Sequence, residues 1–226
     1  MKRFLVVFAM AALGFGMVTF SSCTKDDTTA PTVTLKGDTA IYLNLGSTYT
    51  EPGYTANDDK DGVITTSVTV IGTVNVNQVG MYMLTYKVAD KAGNEASAFR
   101  SVYVKTAKLA GNYHVSDVVT GKNAGTYTYD IEVDSSATPG SWWRTIVIKN
   151  FGGFGNPVVV SATIDAGVIT IPEQTPSGMA AGWEAKITGS GTYDGASKSL
   201  KTFSYTATYL ATGGGADNGV ATLTKF

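Results

Sequence analysis

The segment GMYMLTYKVAD, residues 80–90, decides the fold of the first half of the chain. Apolar side chains recur at every second position from Tyr82 to Val88, so they share one face of an extended strand. A strand with one buried face is typical of an antiparallel sandwich. The segment therefore predicts a β-sandwich around residues 80–90.

The composition extends this all-β prediction to the whole chain. The sequence holds 26 glycines and 12 tyrosines, and its short apolar–polar alternations are separated by Gly, Asp and Asn turns. A short polar stretch from Lys105 to Lys108 separates a sandwich domain at residues 31–105 from a second domain at residues 109–226. In the first domain, strands are predicted at 32–35, 40–44, 64–71, 80–90 and 96–104.

The second domain contains eight predicted strands in succession. Because short turns join consecutive strands, the pattern indicates an eight-stranded up-and-down β-meander, closed as a barrel or open as a half-barrel. The predicted strands are 112–119, 127–133, 144–150, 158–164, 168–171, 183–193, 200–209 and 219–226.

Several motifs of the first domain resemble the Ig-like repeat of bacterial surface proteins. The resemblance covers the whole domain and implies a seven-stranded Ig-type sandwich that acts as a spacer or an adhesive stalk unit. Its motifs are Glu51-Pro52-Gly53-Tyr54, the acidic run from Asp58 to Thr65, Gly80-Met81-Tyr82 with Leu84-Thr85-Tyr86, and Asp90-Lys91-Ala92-Gly93-Asn94.

The second domain opens with a weaker motif. Leu109-Ala110-Gly111-Asn112-Tyr113 resembles the start of lipocalin-like domains, with Tyr113 in place of the usual tryptophan. The rest of the domain is similar to uncharacterised β-meander domains of Bacteroidetes lipoproteins. This resemblance implies no particular ligand.

The N-terminus has the order of charge, apolar run and small residues found in a secretion signal. Lys2 and Arg3 precede an uncharged run that ends at Phe20, and Ser21-Ser22 precede Cys23, the only cysteine. This end resembles a bacterial lipobox, which implies that residues 1–22 are a signal peptide and that Cys23 is acylated. A retained transmembrane helix and a free structural thiol are the alternatives.

Residues 23–30 are then an acylated cysteine and a polar tether. A lysine with paired acids behind the cysteine resembles the surface-export signal of Bacteroidetes lipoproteins, which implies display on the outer membrane; an ordinary solvated linker is the alternative. Removal of residues 1–22 reduces 17 basic residues to 15 against 18 acidic ones. This net negative charge argues against nucleic acid as a partner.

Catalytic and metal-binding patterns are weak. With one histidine, one cysteine and no Gly-x-Ser-x-Gly elbow, we expect neither an enzyme nor a cofactor. The acidic loop that holds Asp58, Asp59 and Asp61 lacks the final glutamate of an EF-hand, since Val68 stands there. A polar turn is expected, with a looser calcium site as the alternative.

Aromatic side chains are the better candidates for ligand binding. They are Trp142, Trp143, Phe151, Phe154 and Trp183. Aromatic planes stack on the apolar C–H faces of sugars, whereas packing in the core is the alternative for each. The sequence thus favours a non-catalytic surface protein that binds glycan or an outer-membrane transport complex. The alternatives are a structural or adhesive protein and a carrier of a small apolar ligand in the second domain.

Overall fold

The computed structural model describes residues 26–135, 142–155, 157–211 and 213–226. Residues 1–22, which are predicted to be a signal peptide, and Cys23 lie outside the described residues. Within the described part of the chain, no helix is long and apolar enough to cross a membrane. The described residues form two all-β domains, as the composition predicted.

The first domain is a sandwich of a three-stranded and a four-stranded sheet. The sheet orders are β1-β3-β4 and β2-β7-β6-β5, so the predicted Ig-type sandwich of seven strands is confirmed. The strands are β1 (Thr32–Leu35), β2 (Ala40–Asn44), β3 (Tyr54–Asp58), β4 (Gly62–Val63), β5 (Thr69–Ile71), β6 (Gly80–Ala89) and β7 (Glu95–Lys105).

The sequence prediction was wrong at two places in this sandwich. Strand β3 was missed, because only Ala56 and Asp58 of its five side chains are buried and the alternation is too short to detect. The predicted strand at 64–71 is instead a 3₁₀ turn, Thr65–Ser67, followed by the short strand β5. The Thr65 hydroxyl group accepts a hydrogen bond from the Ala56 amide, which supports the turn against β3.

The Glu51-Pro52-Gly53-Tyr54 motif builds a partly buried ion pair in the sandwich. Arg100 is fully buried and its guanidinium group pairs with the Glu51 carboxylate. The hydroxyl groups of Tyr49 and Tyr86 donate to the same carboxylate at 2.6 and 2.5 Å. This network connects the loop before β3 with β6 and β7.

The second domain is a closed antiparallel barrel of eight strands. Each strand pairs with the next, and β15 pairs with β8 along nine residues from Asp217 to Lys225. The closed form decides between the barrel and the half-barrel left open by the sequence. The strands are β8 (Gly111–Gly121), β9 (Gly125–Ser135), β10 (Thr145–Lys149), β11 (Val159–Asp165), β12 (Val168–Gln174), β13 (Ala185–Asp194), β14 (Ser199–Tyr209) and β15 (Gly215–Lys225).

Large rings fill the barrel interior opposite glycines. Tyr205 lies between Gly189 and Gly219 on the neighbouring strands, and a Cβ atom at Gly219 would lie 2.2 Å from the Tyr205 ring. Phe203 takes the same position beside Gly191. Strand glycines of this kind allow close approach of a neighbouring group.

One end of the barrel, the Ig-facing end, is covered by the first domain. Val79 and Val104 of the sandwich belong to the same buried cluster as the barrel core, and the Val79 amide donates to the Tyr193 hydroxyl group at 2.7 Å. The connection expected to be a polar linker is a 3₁₀ turn, Thr106–Leu109, in which Thr106 and Leu109 are buried. Because the strands are antiparallel and β8 begins at the Ig-facing end, the turns that follow β8, β10, β12 and β14 form the opposite end, the open end.

Candidate functional site

The open end of the barrel contains a cavity of about 300 Å³. It lies among the turns that follow β8, β10, β12 and β14. Aromatic rings and a few polar groups dominate its wall. The lining residues are Val119, Asn123, Tyr127, Thr128, Tyr129, Gly152, Gly153, Phe154, Trp183, Tyr205, Tyr209 and Asp217.

A buried carboxylate, Asp117, holds two of the lining tyrosines. Its side chain is fully buried on β8, and its Oδ2 atom accepts hydrogen bonds from the hydroxyl groups of Tyr129 at 2.8 Å and Tyr205 at 2.7 Å. Its Oδ1 atom is buried without a hydrogen-bond partner among the described residues. Asp117 therefore fixes the wall of the cavity and has one acceptor oxygen unused.

A second buried carboxylate, Asp217, lies on the adjacent strand β15. Asn123 donates to it twice, from its backbone and its side-chain nitrogen, both at 2.8 Å. The Tyr209 hydroxyl group donates to Oδ2 at 2.8 Å. These bonds connect the β8–β9 turn to β14 and β15 at the rim of the cavity.

The hydrogen bonds and burial set the protonation of these groups. Burial raises the pKa of Tyr129 and of Tyr205 well above the usual value, and the nearby Asp117 carboxylate raises both further. Burial and the bond to Asp217 raise the pKa of Tyr209 to about 12. Burial opposes ionisation of Asp217, but donors from Asn123 and Tyr209 outweigh it and lower its pKa. At neutral pH the tyrosines are therefore neutral and Asp217 is ionised.

Two aromatic side chains form the rim of the cavity. Trp183 is 46% exposed and packs edge-on against Tyr209, with ring centroids 5.9 Å apart. Phe154 follows the 3₁₀ turn Phe151–Gly153, in which Gly152 and Gly153 both have positive φ angles. A Cβ atom at Gly153 would lie 3.1 Å from the Tyr129 ring, so glycine lets the turn lie close to the cavity wall.

This arrangement is suited to a small polar molecule that also has an apolar face. Ring faces supply apolar contact area, and buried polar groups fix the orientation of a ligand. The volume is at the lower end of the range of about 300–1,000 Å³ typical of ligand pockets. The cavity therefore has room for one small ligand.

The structure separates the five aromatic candidates from the sequence. Phe154 and Trp183 line the cavity, and Phe151 is buried beneath it against Tyr205, with centroids 5.0 Å apart. Trp142 and Trp143 lie before β10 at the Ig-facing end. The five residues of β10 put about 17 Å between the tryptophan pair and the turn at Phe151.

Both tryptophans of the pair contact the first domain. Trp142 packs on Tyr42 and Trp143 packs edge-on against Tyr103, at centroid distances of 5.2 and 5.3 Å. Trp142 remains 37% exposed. The pair lies in the turn before β10, and its contacts depend on how the two domains dock.

Other chemical candidates lie away from the cavity. His114 is exposed on the outer wall of the barrel, where it pairs with Asp130 and stacks on Phe226 with ring centroids 4.0 Å apart. Asp61 is bound by Lys91, whose Nζ atom lies 3.0 Å from it. Asp58 is the last residue of β3, and Asp59 follows it in the turn that leads to β4.

The sequence interpretation missed Asp117, Asp217 and the tyrosines around them. A signal was present, because Asp117 occupies a buried phase of β8 between Val115 and Val119. Asp217 likewise shares the buried phase of β15 with Ala221 and Leu223. An acidic side chain in the apolar phase of a strand indicates a buried polar network.

Comparisons with known proteins identify one domain. No curated protein matches the chain. Among solved structures, the chain is similar to the lipoprotein BT2262 from Bacteroides thetaiotaomicron, at 24% identity, a TM-score of 0.34, and coverage of 85% of this chain and 99% of that one. It is also similar to CBM51-2 in complex with GlcNAc and INT domains from Clostridium perfringens ZmpB, at 17% identity, a TM-score of 0.29, and coverage of 52% and 31%. Residues 33–104 match the family model of the bacterial surface protein Ig-like domain, which identifies the first domain as Ig-like.

Proposed function

We propose that this protein is a lipid-anchored, non-catalytic binding protein of the bacterial outer surface. Cys23 carries the anchor, the Ig-like domain acts as a spacer, and the open end of the barrel binds a sugar unit of a glycan. The cell-surface location is supported by the family of the Ig-like domain.

The cavity at the open end is the observation that carries the proposal. Six aromatic rings surround it, and two buried aspartates lie in or behind its wall. Among the described residues, neither Asp117 nor Asp217 has a Lys or Arg nitrogen within 4.0 Å. Asp217, which lines the cavity, is a carboxylate acceptor for a hydroxyl group of a ligand, and the rings of Trp183 and Phe154 are platforms for its apolar face.

The position of the cavity also supports binding at a surface. The Ig-like domain precedes the barrel in the chain and covers its other end. An anchor at Cys23 therefore leaves the cavity on the side of the barrel remote from the spacer. A ligand outside the cell reaches it without displacing either domain.

The protonation states support binding over catalysis. A general acid needs a raised carboxyl pKa, whereas hydrogen bonds lower that of Asp217. A tyrosine nucleophile needs an accessible phenolate, whereas the pKa values of Tyr129, Tyr205 and Tyr209 are raised. The same groups are strong, fixed hydrogen-bonding partners. They suit recognition of hydroxyl groups.

A carrier of an apolar molecule is less well supported. The barrel interior is filled by Phe151, Phe203 and Tyr205, which are all buried. The remaining cavity borders Asn123 and Asp217. An apolar ligand would displace water from these polar groups and offer no hydrogen bond in return, which is unfavourable.

The experiment is a glycan-array screen of residues 24–226, followed by calorimetry on single variants. Trp183→Ala is expected to weaken binding of the array hit about 30-fold, the effect of a hot spot of about 2 kcal/mol. Trp142→Ala is the matched control, because Trp142 has similar exposure but lies at the Ig-facing end. An array without a hit, or a hit that only the control weakens, contradicts the proposal.

A further inference from the structure

Three aspartates meet where the N-terminal tether passes the turn between β3 and β4. One carboxylate oxygen from each of Asp27, Asp58 and Asp59 lies within 4.8 Å of the other two. Asp27 is held at this place by Asn94, whose side-chain nitrogen donates to the Asp27 carbonyl oxygen at 3.1 Å. The cluster therefore joins the tether to the body of the Ig-like domain.

Asp58, a member of this cluster, has a carboxylate oxygen without a hydrogen-bond partner among the described residues. The residue is only 4% exposed, and its Oδ1 atom accepts the backbone N–H groups of Lys60 and Asp61, both at 2.9 Å. Its Oδ2 atom is buried and has no hydrogen-bond partner among the described residues. A buried carboxylate oxygen without a donor is costly, so this atom indicates a missing positive ligand.

The lysines of the loop do not compensate the cluster. Lys60 approaches Asp59 at 3.8 Å, but both side chains are at least half exposed, and such pairs contribute little. Lys91 is engaged by Asp61, to which it donates from its backbone at 2.7 Å and from Nζ at 3.0 Å. The sequence suggested Asp61 as the third acidic residue beside Asp58 and Asp59. In the structure the third residue of the cluster is Asp27.

We propose that Asp27, Asp58 and Asp59 bind a calcium ion that fastens the tether to the Ig-like domain. Calcium takes six to eight oxygen ligands in flexible geometry, and carboxylates are its usual protein ligands. Three aspartates supply at least three oxygens, and backbone oxygens and water complete the shell. Magnesium is a poorer match because it requires a near-ideal octahedron.

The consequence concerns the anchor. Asp27 lies four residues after Cys23. Four residues of fully extended chain reach about 14 Å at most. Calcium at this site would hold the Ig-like domain close to the lipid and restrict the directions in which it points. The site is independent of glycan binding at the open end of the barrel.

The test is a titration of residues 24–226 with CaCl₂, in which binding is monitored through the amide NMR signals of residues 26–30 and 57–61. We expect saturable shifts with a dissociation constant on the order of 10⁻⁴–10⁻³ M, the range of extracellular calcium modules. Asp27→Asn should raise this constant about tenfold or more, since one of three charged ligands is lost.

Asp26→Asn is the matched control, because Asp26 is an exposed neighbour of the same charge outside the cluster. It should change the constant less than about twofold, as expected of a surface charge. Asp59→Asn provides a second variant in the exposed part of the turn, so the test does not depend on the buried Asp58. Shifts that do not saturate, equal effects of Asp26→Asn and Asp27→Asn, or equal affinity for MgCl₂ would overturn the proposal.

Discussion

Each domain contains a carboxylate that tyrosine hydroxyl groups hold, but the two differ in burial and in whether a cation pairs with the carboxylate. In the Ig-like domain, Glu51 accepts from Tyr49 and Tyr86 and pairs with the fully buried Arg100. In the barrel, Asp117 accepts from Tyr129 and Tyr205, and no lysine or arginine of the described chain pairs with it.

The surroundings of the two carboxylates also differ, since the Asp117 network lies beside the cavity at the open end of the barrel. The Glu51 network is closed by its own cation, and Gly53 donates a further hydrogen bond at 2.9 Å. The Asp117 network borders a cavity and retains an unpaired oxygen. Removing one partner of the Glu51–Arg100 pair leaves a buried charge, which is costly, whereas the tyrosines held by Asp117 line the wall of a cavity. This difference is the basis for the structural role of the first network and for the proposed binding role of the second.

The largest expected effect is on the Ig-like domain. Glu51→Ala leaves the Arg100 guanidinium group buried without its carboxylate, and loss of one partner of a buried pair costs about 3–5 kcal/mol. Urea unfolding should show this loss. Glu95→Ala is the control, because Glu95 forms an exposed pair with Lys87. A loss no larger than that of the control would remove the structural role of Glu51.

A smaller loss is expected at the barrel network. Asp117→Ala leaves the hydroxyl groups of Tyr129 and Tyr205 without their acceptor, at about 2–3 kcal/mol in total, but strands no charge. Asp130→Ala, on the exposed face of the same barrel, is the control in urea unfolding. If Asp117→Ala costs more than Glu51→Ala, the contrast between the two networks fails.

The smallest expected effect is a pH dependence at the rim of the cavity. The pKa of Asp217 is lowered in the folded protein because hydrogen bonds from Asn123 and Tyr209 outweigh burial. Its contribution to stability is therefore full above the ordinary carboxyl pKa and is lost as the pH falls through the folded value. Asp217→Asn should lose less stability than the wild type between about pH 5 and about pH 3. Equal losses in denaturant unfolding at the two pH values would contradict the lowered pKa.

The strands could be predicted because most of them alternate over many residues. Barrel strands such as β8 and β14 alternate between buried and more exposed side chains over eight residues or more. Strand β3 buries only Ala56 and Asp58 and gives no comparable signal. Closure of the barrel was not fixed by the pattern, because pairing of β15 with β8 joins the two ends of the domain.

The site could be predicted only in part for the same reason. Phe154 and Trp183 were found as aromatic side chains near glycines, which is a local property of the sequence. Asp117 and Asp217 come together through barrel closure, and Trp142 and Trp143 are placed by contacts with Tyr42 and Tyr103 of the other domain. These long-range contacts depend on the assembled fold and leave no local pattern.

The three tryptophans provide the most direct test of binding at the open end. Trp183 lies at the cavity, while Trp142 and Trp143 lie at the Ig-facing end. In NMR spectra of residues 24–226, the glycan selected on the array should shift the indole N–H signal of Trp183 and leave the other two unchanged. Shifts of Trp142 or Trp143 with an unchanged Trp183 signal would place binding at the wrong end of the barrel and contradict the account.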